Sequence, residues 1–222
     1  MARLGVFGGT FDPPHVAHLI LAAEARYQLG LDRVLWVLTP HPPHKEGQEI
    51  TPCDERLALL EAAIGDDSAF ELTRVDIDRP PPHYAFQTMR LLRGTYPGEV
   101  LVNLMGGDEL RDLPKWKQPA DFLAGCDEIG VMRRPGDMIQ VEALERVLPG
   151  LMDKVRFLDA LLLAISASDI RRRAQAGEPF RYFLPERVYR EILRRGLYRS
   201  VQPGDEIVDR DSRQGQDFDA TA

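Results

Sequence analysis

The chain has 222 residues and a formal net charge of −7, and 44% of its residues are hydrophobic. This length is enough for one α/β domain, alone or with a small appendage, and for a full hydrophobic core. The acidic balance excludes a nucleic-acid binder whose affinity comes from a broad basic surface.

Apolar segments that favour β-structure alternate with helical patterns along the chain. We predict strands at 4–7, 33–38, 70–75, 99–105, 127–132 and 155–165, where the last pattern allows one strand or two short ones. Helices are predicted at 15–29, 54–64, 83–94, 140–148, 168–176 and 185–195, with a broken helical stretch over 107–124. The alternation predicts an α/β fold in which a doubly wound parallel sheet carries helices on both faces.

The last part of the chain differs in composition from the rest. Residues 200–222 carry six acidic and two basic residues, with few apolar ones. Such a composition favours disorder. We therefore predict one domain over 1–199, without an internal repeat or linker, followed by an acidic, disordered tail over 200–222.

The cysteines and the hydropathy pattern bear on the compartment. Cys53 and Cys126 match no metal-binding or redox spacing, which favours a reducing environment. The sequence shows no apolar run long enough to span a bilayer and no signal-peptide layout. We expect a soluble cytoplasmic protein that does not enter a membrane; the sequence does not fix its oligomeric state and is compatible with a homo-oligomer.

A glycine turn with two nearby histidines follows the first predicted strand. The segment reads Gly8-Gly9-Thr10-Phe11-Asp12-Pro13-Pro14-His15-Val16-Ala17-His18. Backbone N–H groups at a helix N-terminus attract anions, and Gly8 and Gly9 allow the main chain to approach a phosphate. His15 and His18 are spaced i and i+3, so they share one face of the helix. The segment predicts a phosphate site, although a glycine pair after a strand is also common in other α/β proteins.

Polar or glycine-rich segments also follow the second, fourth, fifth and last predicted strands. They are 39–45, 105–110, 133–136 and 165–171. Ligands of open parallel sheets bind outside the carboxyl ends of the strands, where the strand order reverses. We therefore expect these segments to converge with the first loop on one edge of the sheet.

The segment 165–171 contains a second candidate for phosphate binding. Ser168 is predicted as the N-cap of a helix, which places Arg171 at its third helical position. A helix N-terminus beside a cation suits a chain of phosphates. The alternative is an ordinary capped surface helix with a solvated arginine face over 171–173.

The loops lack several common catalytic patterns. Neither a glycine-lysine phosphate loop nor a three-glycine dinucleotide fingerprint lies near the first strand, which disfavours ATPase chemistry and hydride transfer. No pair of carboxylates and no serine or cysteine nucleophile follows a strand in the required pattern. An attacking phosphate needs neither, because its second pKa is about 6. The pattern favours nucleotidyl transfer with release of pyrophosphate, and Mg²⁺ normally accompanies a triphosphate.

The motifs at 8–18 and at Ile165-Ser166-Ala167-Ser168-Asp169-Ile170-Arg171 resemble the paired signatures of the nucleotidylyltransferase superfamily. Within it, residues 1–199 resemble the bacterial nicotinate-nucleotide adenylyltransferases. The supporting matches are Pro42-Pro43-His44-Lys45, Arg56, Tyr84, Gln87-Thr88, Gly106-Gly107-Asp108, Trp116, Arg133-Arg134-Pro135-Gly136, Leu184-Pro185-Glu186 and Gly196-Leu197-Tyr198. The resemblance implies a Rossmann-like fold of the nucleotidylyltransferase type.

The resemblance also implies an activity, namely transfer of the adenylyl group of ATP, bound with Mg²⁺, to nicotinate mononucleotide, which gives deamido-NAD and pyrophosphate. The residues implied in ATP binding are Gly8, Gly9, Thr10, His15, His18, Lys45, Asp108, Ser166, Ser168 and Arg171, of which His15, His18, Lys45 and Arg171 would be catalytic and Asp108 would bond a ribose hydroxyl. The residues implied in nicotinate mononucleotide binding are Tyr84, Ala85, Trp116 and Arg133. Trp116 would stack on the ring, although its spacing alone favours a role in capping the core. The protein ligands of the metal, if there are any, stay undefined.

Two positions depart from the family pattern. Ala17 stands where the family usually has glycine between the histidines, and Ala85 replaces a frequent threonine, so the preference for acid over amide is open. A pantetheine-phosphate adenylyltransferase shares both phosphate signatures and is the first alternative. A nucleotide-binding protein without catalysis, marked by Ala17, is the second.

Overall fold

The computed structural model describes residues 1–42, 47–132, 139–159 and 163–199. These residues form a six-stranded sheet in the order β3-β2-β1-β4-β5-β6, in which every neighbouring pair is parallel. The strands are β1 (Arg3–Gly9), β2 (Arg33–Leu38), β3 (Phe70–Thr73), β4 (Val100–Gly106), β5 (Glu128–Met132) and β6 (Val155–Leu158). The helices are α1 (Val16–Gln28), α2 (Cys53–Ile64), α3 (Ala85–Thr95), α4 (Gly107–Asp112), α5 (Pro119–Gly125), α6 (Val141–Val147), α7 (Leu151–Lys154), α8 (Ala167–Ala176) and α9 (Glu186–Arg195).

The strands read as continuous apolar runs because both faces of the sheet are covered. In β2, Leu35 and Val37 pack in a buried cluster with residues of α3 and α5. Val34 and Trp36 point the other way, into a cluster with residues of α1 and α2. Successive side chains of a strand alternate between faces. The predicted doubly wound sheet with helices on both faces is confirmed.

A third cluster attaches the C-terminal helices to the rest of the fold. Leu59 of α2 is buried together with Ile170 of α8 and with Val188 and Ile192 of α9. An ion pair of 2.7 Å between Arg195 and Glu55 joins α9 to α2 at the surface. This packing holds the segment that follows α9 near the edge of the sheet where β1 ends.

The boundaries differ from the predicted ones in a few places. The last predicted strand segment contains a single strand, β6, and residues 163–166 are irregular. The broken helical stretch consists of α4, a 3₁₀ turn at Leu113–Lys115, and α5. Proline cannot donate a backbone hydrogen bond, so Pro114 and Pro119 fit only in the first turns of these short helices, where the structure places them. The short helix α7 was not predicted.

The strand order reverses between β1 and β4. The chain leaves β1 for β2 on one side, whereas β4 and β5 lie on the other side. The loops that follow β1 and β4 therefore diverge and leave a crevice at the carboxyl edge of the sheet. None of the helices in the described ranges is both long and apolar enough to span a membrane. The predicted acidic tail, 200–222, lies outside the described residues.

Candidate active site

The strand β1 ends with two glycines, and the surroundings of the two positions differ. A β-carbon at Gly8 would meet no atom within 4 Å, so this position is open at the edge of the sheet. A β-carbon at Gly9 would lie 2.8 Å from the ring of Phe11, which is itself buried. Gly9 is thus required by packing, and Gly8 leaves space for a ligand to approach the main chain.

His15 and His18 lie at the start of α1, as the sequence predicts. His15 is the N-cap residue and only 6% exposed, and the two rings stack with their centroids 3.7 Å apart. The His15 backbone N–H donates to Nδ1 of His18 at 3.1 Å. Because Nδ1 accepts, the proton of a neutral His18 is on Nε2. The His18 ring can therefore donate a hydrogen bond from Nε2.

Both imidazoles are neutral at physiological pH in this arrangement. Burial lowers the pKa of His15 to about 4. Burial and, to a smaller degree, the nearby His15 hold the pKa of His18 well below its ordinary value. A bound polyanion would oppose both effects, since a nearby negative charge favours the protonated ring. The pair can donate to a phosphate as neutral rings or take up a proton with it.

The start of α8 corrects one prediction. Ser166, not Ser168, is the N-cap residue, because its hydroxyl accepts a hydrogen bond from the N–H of Asp169 at 3.1 Å. The helix therefore begins two residues earlier than predicted, and Arg171 is its fifth residue instead of its third. Ser168 remains in the first turn, where its hydroxyl lies 3.1 Å from that of Ser166. Both hydroxyls lie at the helix N-terminus.

The three arginines that follow do not share one role: two lie on a solvated surface, and one reaches the candidate phosphate site. Arg172 and Arg173 form ion pairs with Asp169 on the solvent side of α8, each at 2.8 Å. Arg171 instead reaches across to the first loop, where its Nη1 donates to the backbone oxygen of Asp12 at 2.6 Å. Arg171 thereby connects the N-termini of α1 and α8. The other two arginines form the solvated surface that the sequence analysis gave as the alternative.

The Asp12 carboxylate lies at the centre of contacts with Tyr198, Thr51 and Arg171, and the sequence did not reveal this carboxylate hub. It is 3% exposed. Its Oδ1 accepts the hydroxyl proton of Tyr198 at 2.7 Å, and its Oδ2 accepts the N–H of Thr51 at 3.3 Å. Oδ2 also lies 3.8 Å from Nη1 of Arg171. No local pattern could have found these contacts, because the partners are 39 to 186 residues away.

Arg56 of α2 bonds to both the β1–α1 and the β2–α2 connection. Its guanidinium is buried, at 1% exposure, and donates to the carbonyl oxygens of Thr51, Thr10, Thr39 and Pro40 at 2.7 to 2.9 Å. Burial lowers the pKa of this guanidinium, and Cys53 and Asp12 oppose that change. A single cation thus fixes the ends of the β1–α1 and β2–α2 connections relative to one another.

A cleft of about 410 Å³ opens beside these loops, a size typical of small-molecule sites. Its walls include Tyr84, which is the N-cap residue of α3. The first turn of α3 has no acidic residue and Tyr84 makes no side-chain capping bond, so this N-terminus suits an anion. Ala85 is the first helical residue there.

A buried network fixes the chain that leads into α3. Asp76 is 3% exposed and pairs with Arg79 at 2.8 Å. Asp76 also accepts the hydroxyl proton of Thr88 at 2.9 Å, and Arg79 donates to the carbonyl of Pro82 at 2.7 Å. The segment before Tyr84 is held against α3 by these bonds.

The loop after β4 carries Asp108 and, further on, Trp116. Asp108 is exposed in the first turn of α4, and its neighbour Glu109 accepts the N–H of Gly106 at 2.9 Å. Trp116 is half-buried and packs edge-on against Phe122, with the ring centroids 5.2 Å apart. Trp116 therefore contacts the core, as its spacing favoured, and still has ring surface that a ligand could reach.

Two predicted site residues, Lys45 and Arg133, lie outside the described residues. Of the loops expected to converge, the structure joins those after β1 and β2 through Arg56 and joins the first loop to α8 through Arg171. Within the described part of the chain, no group of three or more His, Cys, Asp or Glu side chains could hold a metal ion.

This strand order, with two helix N-termini at its switch point, defines a Rossmann-like α/β protein, and the match to the cytidylyltransferase-like family identifies the fold as the nucleotidylyltransferase type. Residues 6–173 match the cytidylyltransferase-like family. The structure resembles the Plasmodium falciparum nicotinic acid mononucleotide adenylyltransferase complexed with NaAD, with a TM-score of 0.73 and 15% identity over 89% of this chain and 98% of that one.

Sequence relatives narrow the family. A probable nicotinate-nucleotide adenylyltransferase of Thermomicrobium roseum is 43% identical over 91% of this chain and 94% of its own length. The nicotinate-nucleotide adenylyltransferase of Bacillus subtilis is 36% identical over 90% of this chain and 100% of its own. The chain belongs to the nicotinate-nucleotide adenylyltransferase family.

Proposed function

We propose that this protein transfers the adenylyl group of ATP to nicotinate mononucleotide and releases pyrophosphate, which forms deamido-NAD for NAD biosynthesis. The observation that carries the proposal is the joining of two helix N-termini at the switch point of the sheet. One bears His15 and His18, the other bears Ser166 and Ser168, and Arg171 links them through Asp12. Such a pair of N-termini suits a triphosphate better than a single anion.

The reaction asks for alignment and charge stabilisation. The acceptor phosphate is already ionised near neutral pH, so no protein base has to activate it. Its oxygen attacks the α-phosphorus of ATP, and the bond to the bridging oxygen of pyrophosphate breaks. His18 can donate from Nε2, and Arg171 supplies a fixed positive charge, while negative charge builds up on the leaving group. His15, whose ring stacks on that of His18, would support the same group.

Lys45, in its predicted role, would bring a second cation to the phosphates. Gly8, Gly9 and Thr10 would contact ATP through the loop backbone, and Asp108 would bond a ribose hydroxyl. Mg²⁺ would arrive with ATP and be held mainly by phosphate oxygens and water.

The acceptor would lie between Trp116 and the start of α3. The accessible face of Trp116 would stack on the pyridine ring. The ring carboxylate would face the N-terminus of α3 at Tyr84 and Ala85, where no acidic side chain competes. Arg133 is the remaining predicted contact. This anion-favouring N-terminus supports nicotinate over nicotinamide mononucleotide, even though Ala85 lacks a hydroxyl.

The test is pyrophosphate release by the purified protein with ATP, Mg²⁺ and one of three acceptors. We expect release with nicotinate mononucleotide and at least tenfold slower release with nicotinamide mononucleotide. Release with phosphopantetheine alone would replace the proposal with a pantetheine-phosphate adenylyltransferase. ATP binding without release on any of them would favour a nucleotide-binding protein without catalysis.

Two substitutions at His18 separate its roles. His18→Asn keeps an acceptor near the position of Nδ1, which caps the His15 N–H, but removes the Nε2 donor. We expect both His18→Asn and His18→Ala to lower kcat by about a hundredfold or more, as loss of a transition-state donor does. Near-normal turnover in His18→Asn would show that capping, not donation, is the role of this side chain.

Tryptophan fluorescence tests the acceptor site independently. The chain has two tryptophans, and Trp36 is fully buried in the core. Only Trp116 can therefore contact the acceptor directly, and the change in emission on adding nicotinate mononucleotide should disappear in Trp116→Phe, which keeps Trp36. Persistence of the signal in that variant would remove Trp116 from the acceptor site.

A further inference from the structure

Tyr198 forms the longest-range side-chain contact of the candidate site. Its hydroxyl donates to Oδ1 of Asp12 at 2.7 Å across 186 residues of sequence. The residue follows the end of α9 and has a φ of 61°, a left-handed conformation that is uncommon for a residue with a β-carbon. Such a conformation persists where surrounding contacts determine it. The half-buried ring packs in the cluster that also contains Ile170, the neighbour of Arg171.

The hydroxyl fixes the rotation of a carboxylate that Arg171 depends on. With Oδ1 bonded to Tyr198 and Oδ2 bonded to the N–H of Thr51, the Asp12 carboxylate has one orientation. In that orientation Oδ2 lies 3.8 Å from Nη1 of Arg171, and the same Nη1 donates to the Asp12 backbone oxygen at 2.6 Å. Because Asp12 is buried, these charge-assisted contacts are stronger than they would be in water.

We propose that Tyr198 is a positioning residue for the triphosphate, acting through Asp12 on the guanidinium of Arg171. The inference rests on the proposed function, in which Arg171 holds the phosphates. Without the Tyr198 hydroxyl, the Asp12 carboxylate can rotate and draw Arg171 into a closer ion pair. The guanidinium is then paired with Asp12 and no longer available to the phosphates.

The test compares Tyr198→Phe with Tyr189→Phe. The first substitution removes one hydroxyl and keeps the ring. The control removes a hydroxyl in the same C-terminal cluster, from a ring that packs against Phe180. Calorimetry gives the dissociation constant and stoichiometry for ATP with Mg²⁺ and for inorganic tripolyphosphate, and steady-state kinetics gives KM for each substrate.

Tyr198→Phe should weaken binding of ATP and of tripolyphosphate about tenfold each, the size of one hydrogen bond to a charged group. The stoichiometry and the KM for nicotinate mononucleotide should not change, and Tyr189→Phe should behave as the wild type. A merely structural role would lower the stoichiometry or affect both variants, which would overturn the inference. Unchanged affinity for tripolyphosphate in Tyr198→Phe would also overturn it.

Failure of the proposed function gives a different result. If the wild type binds ATP but adenylylates none of the acceptors, the activity is wrong and the affinities for ATP and tripolyphosphate still decide the role of Tyr198. If the wild type binds neither ATP nor tripolyphosphate, the inference is wrong as well.

Discussion

Replacing Arg56 by methionine tests whether one buried cation organises the active-site loops. Methionine keeps an unbranched apolar stem and removes the guanidinium. The four carbonyl oxygens that Arg56 bonds, at 2.7 to 2.9 Å, belong to the ends of the β1–α1 and β2–α2 connections. Arg56→Met should therefore affect both the stability of the fold and the position of Thr10 in the first loop.

The expected loss of unfolding free energy follows from the number of hydrogen bonds that Arg56 donates. A hydrogen bond to a charged donor contributes about 1.5–3 kcal/mol, but burying the guanidinium has a cost, which its lowered pKa reflects. Arg56 also lines the cleft, so water can reach some of the carbonyls once the side chain is gone. We therefore use about 1 kcal/mol for each of the four bonds and expect Arg56→Met to lose about 4 kcal/mol of unfolding free energy. Arg56→Lys keeps the charge with fewer aligned donors and should lose about 2 kcal/mol.

Urea unfolding of the wild type, Arg56→Met and Arg56→Lys at pH 7.5 measures these losses. Arg187→Met is the matched control, because Arg187 forms an exposed ion pair with Asp66 at 3.0 Å and should lose less than about 1 kcal/mol. A loss in Arg56→Met as small as in the control would refute the reasoning. So would an unchanged KM for ATP, since the carbonyl of Thr10 would then not depend on Arg56.

Three further predictions concern the end of β1 and the start of α1. Burial lowers the pKa of His15 to about 4, so between about pH 6.5 and 4 the folded protein binds fewer protons than the unfolded chain, and stability that is fully present above pH 6.5 is lost as the pH falls. His15→Gln should remove about 3 kcal/mol of that difference between pH 7 and pH 4 in urea unfolding; an unchanged pH slope would contradict the assignment. Gly9→Ala should lose about 1–3 kcal/mol by thermal unfolding, because its β-carbon would press on the Phe11 ring. Gly8→Ala meets open space and should keep its stability but raise the KM for ATP, whereas a normal KM would place the nucleotide elsewhere.

Local patterns predicted most of the fold, for identifiable reasons. Strands buried on both faces, such as β2, leave a continuous apolar signal, and helices such as α1 end at a glycine with positive φ, here Gly30. The sequence did not distinguish one strand from two in the last segment, because the apolar run 155–165 is longer than the part that pairs with β5. The hydrophobic pattern of a segment indicates which residues are buried. It does not show where hydrogen bonding between strands stops.

The site was predictable where its residues act locally. The histidine pair and the serines lie near helix starts, and the resemblance pointed to the same residues. Ser166 and Ser168 are both good N-cap residues, so the sequence alone could not decide which of them ends the loop. The roles of Asp12, Arg56 and Tyr198 could not be predicted at all, because each depends on groups brought together only by the folded chain.

The contact between Tyr198 and Asp12 joins residues that leave the ribosome at different times. Asp12 is among the first residues to leave the ribosome, and its partner is among the last of the described residues. A nascent chain whose C-terminal part is still inside the exit tunnel can form β1 and its neighbours. It cannot complete the carboxylate hub. The Asp12 carboxylate therefore acquires its Tyr198 partner only after the C-terminal helices have left the tunnel and folded against the first loop.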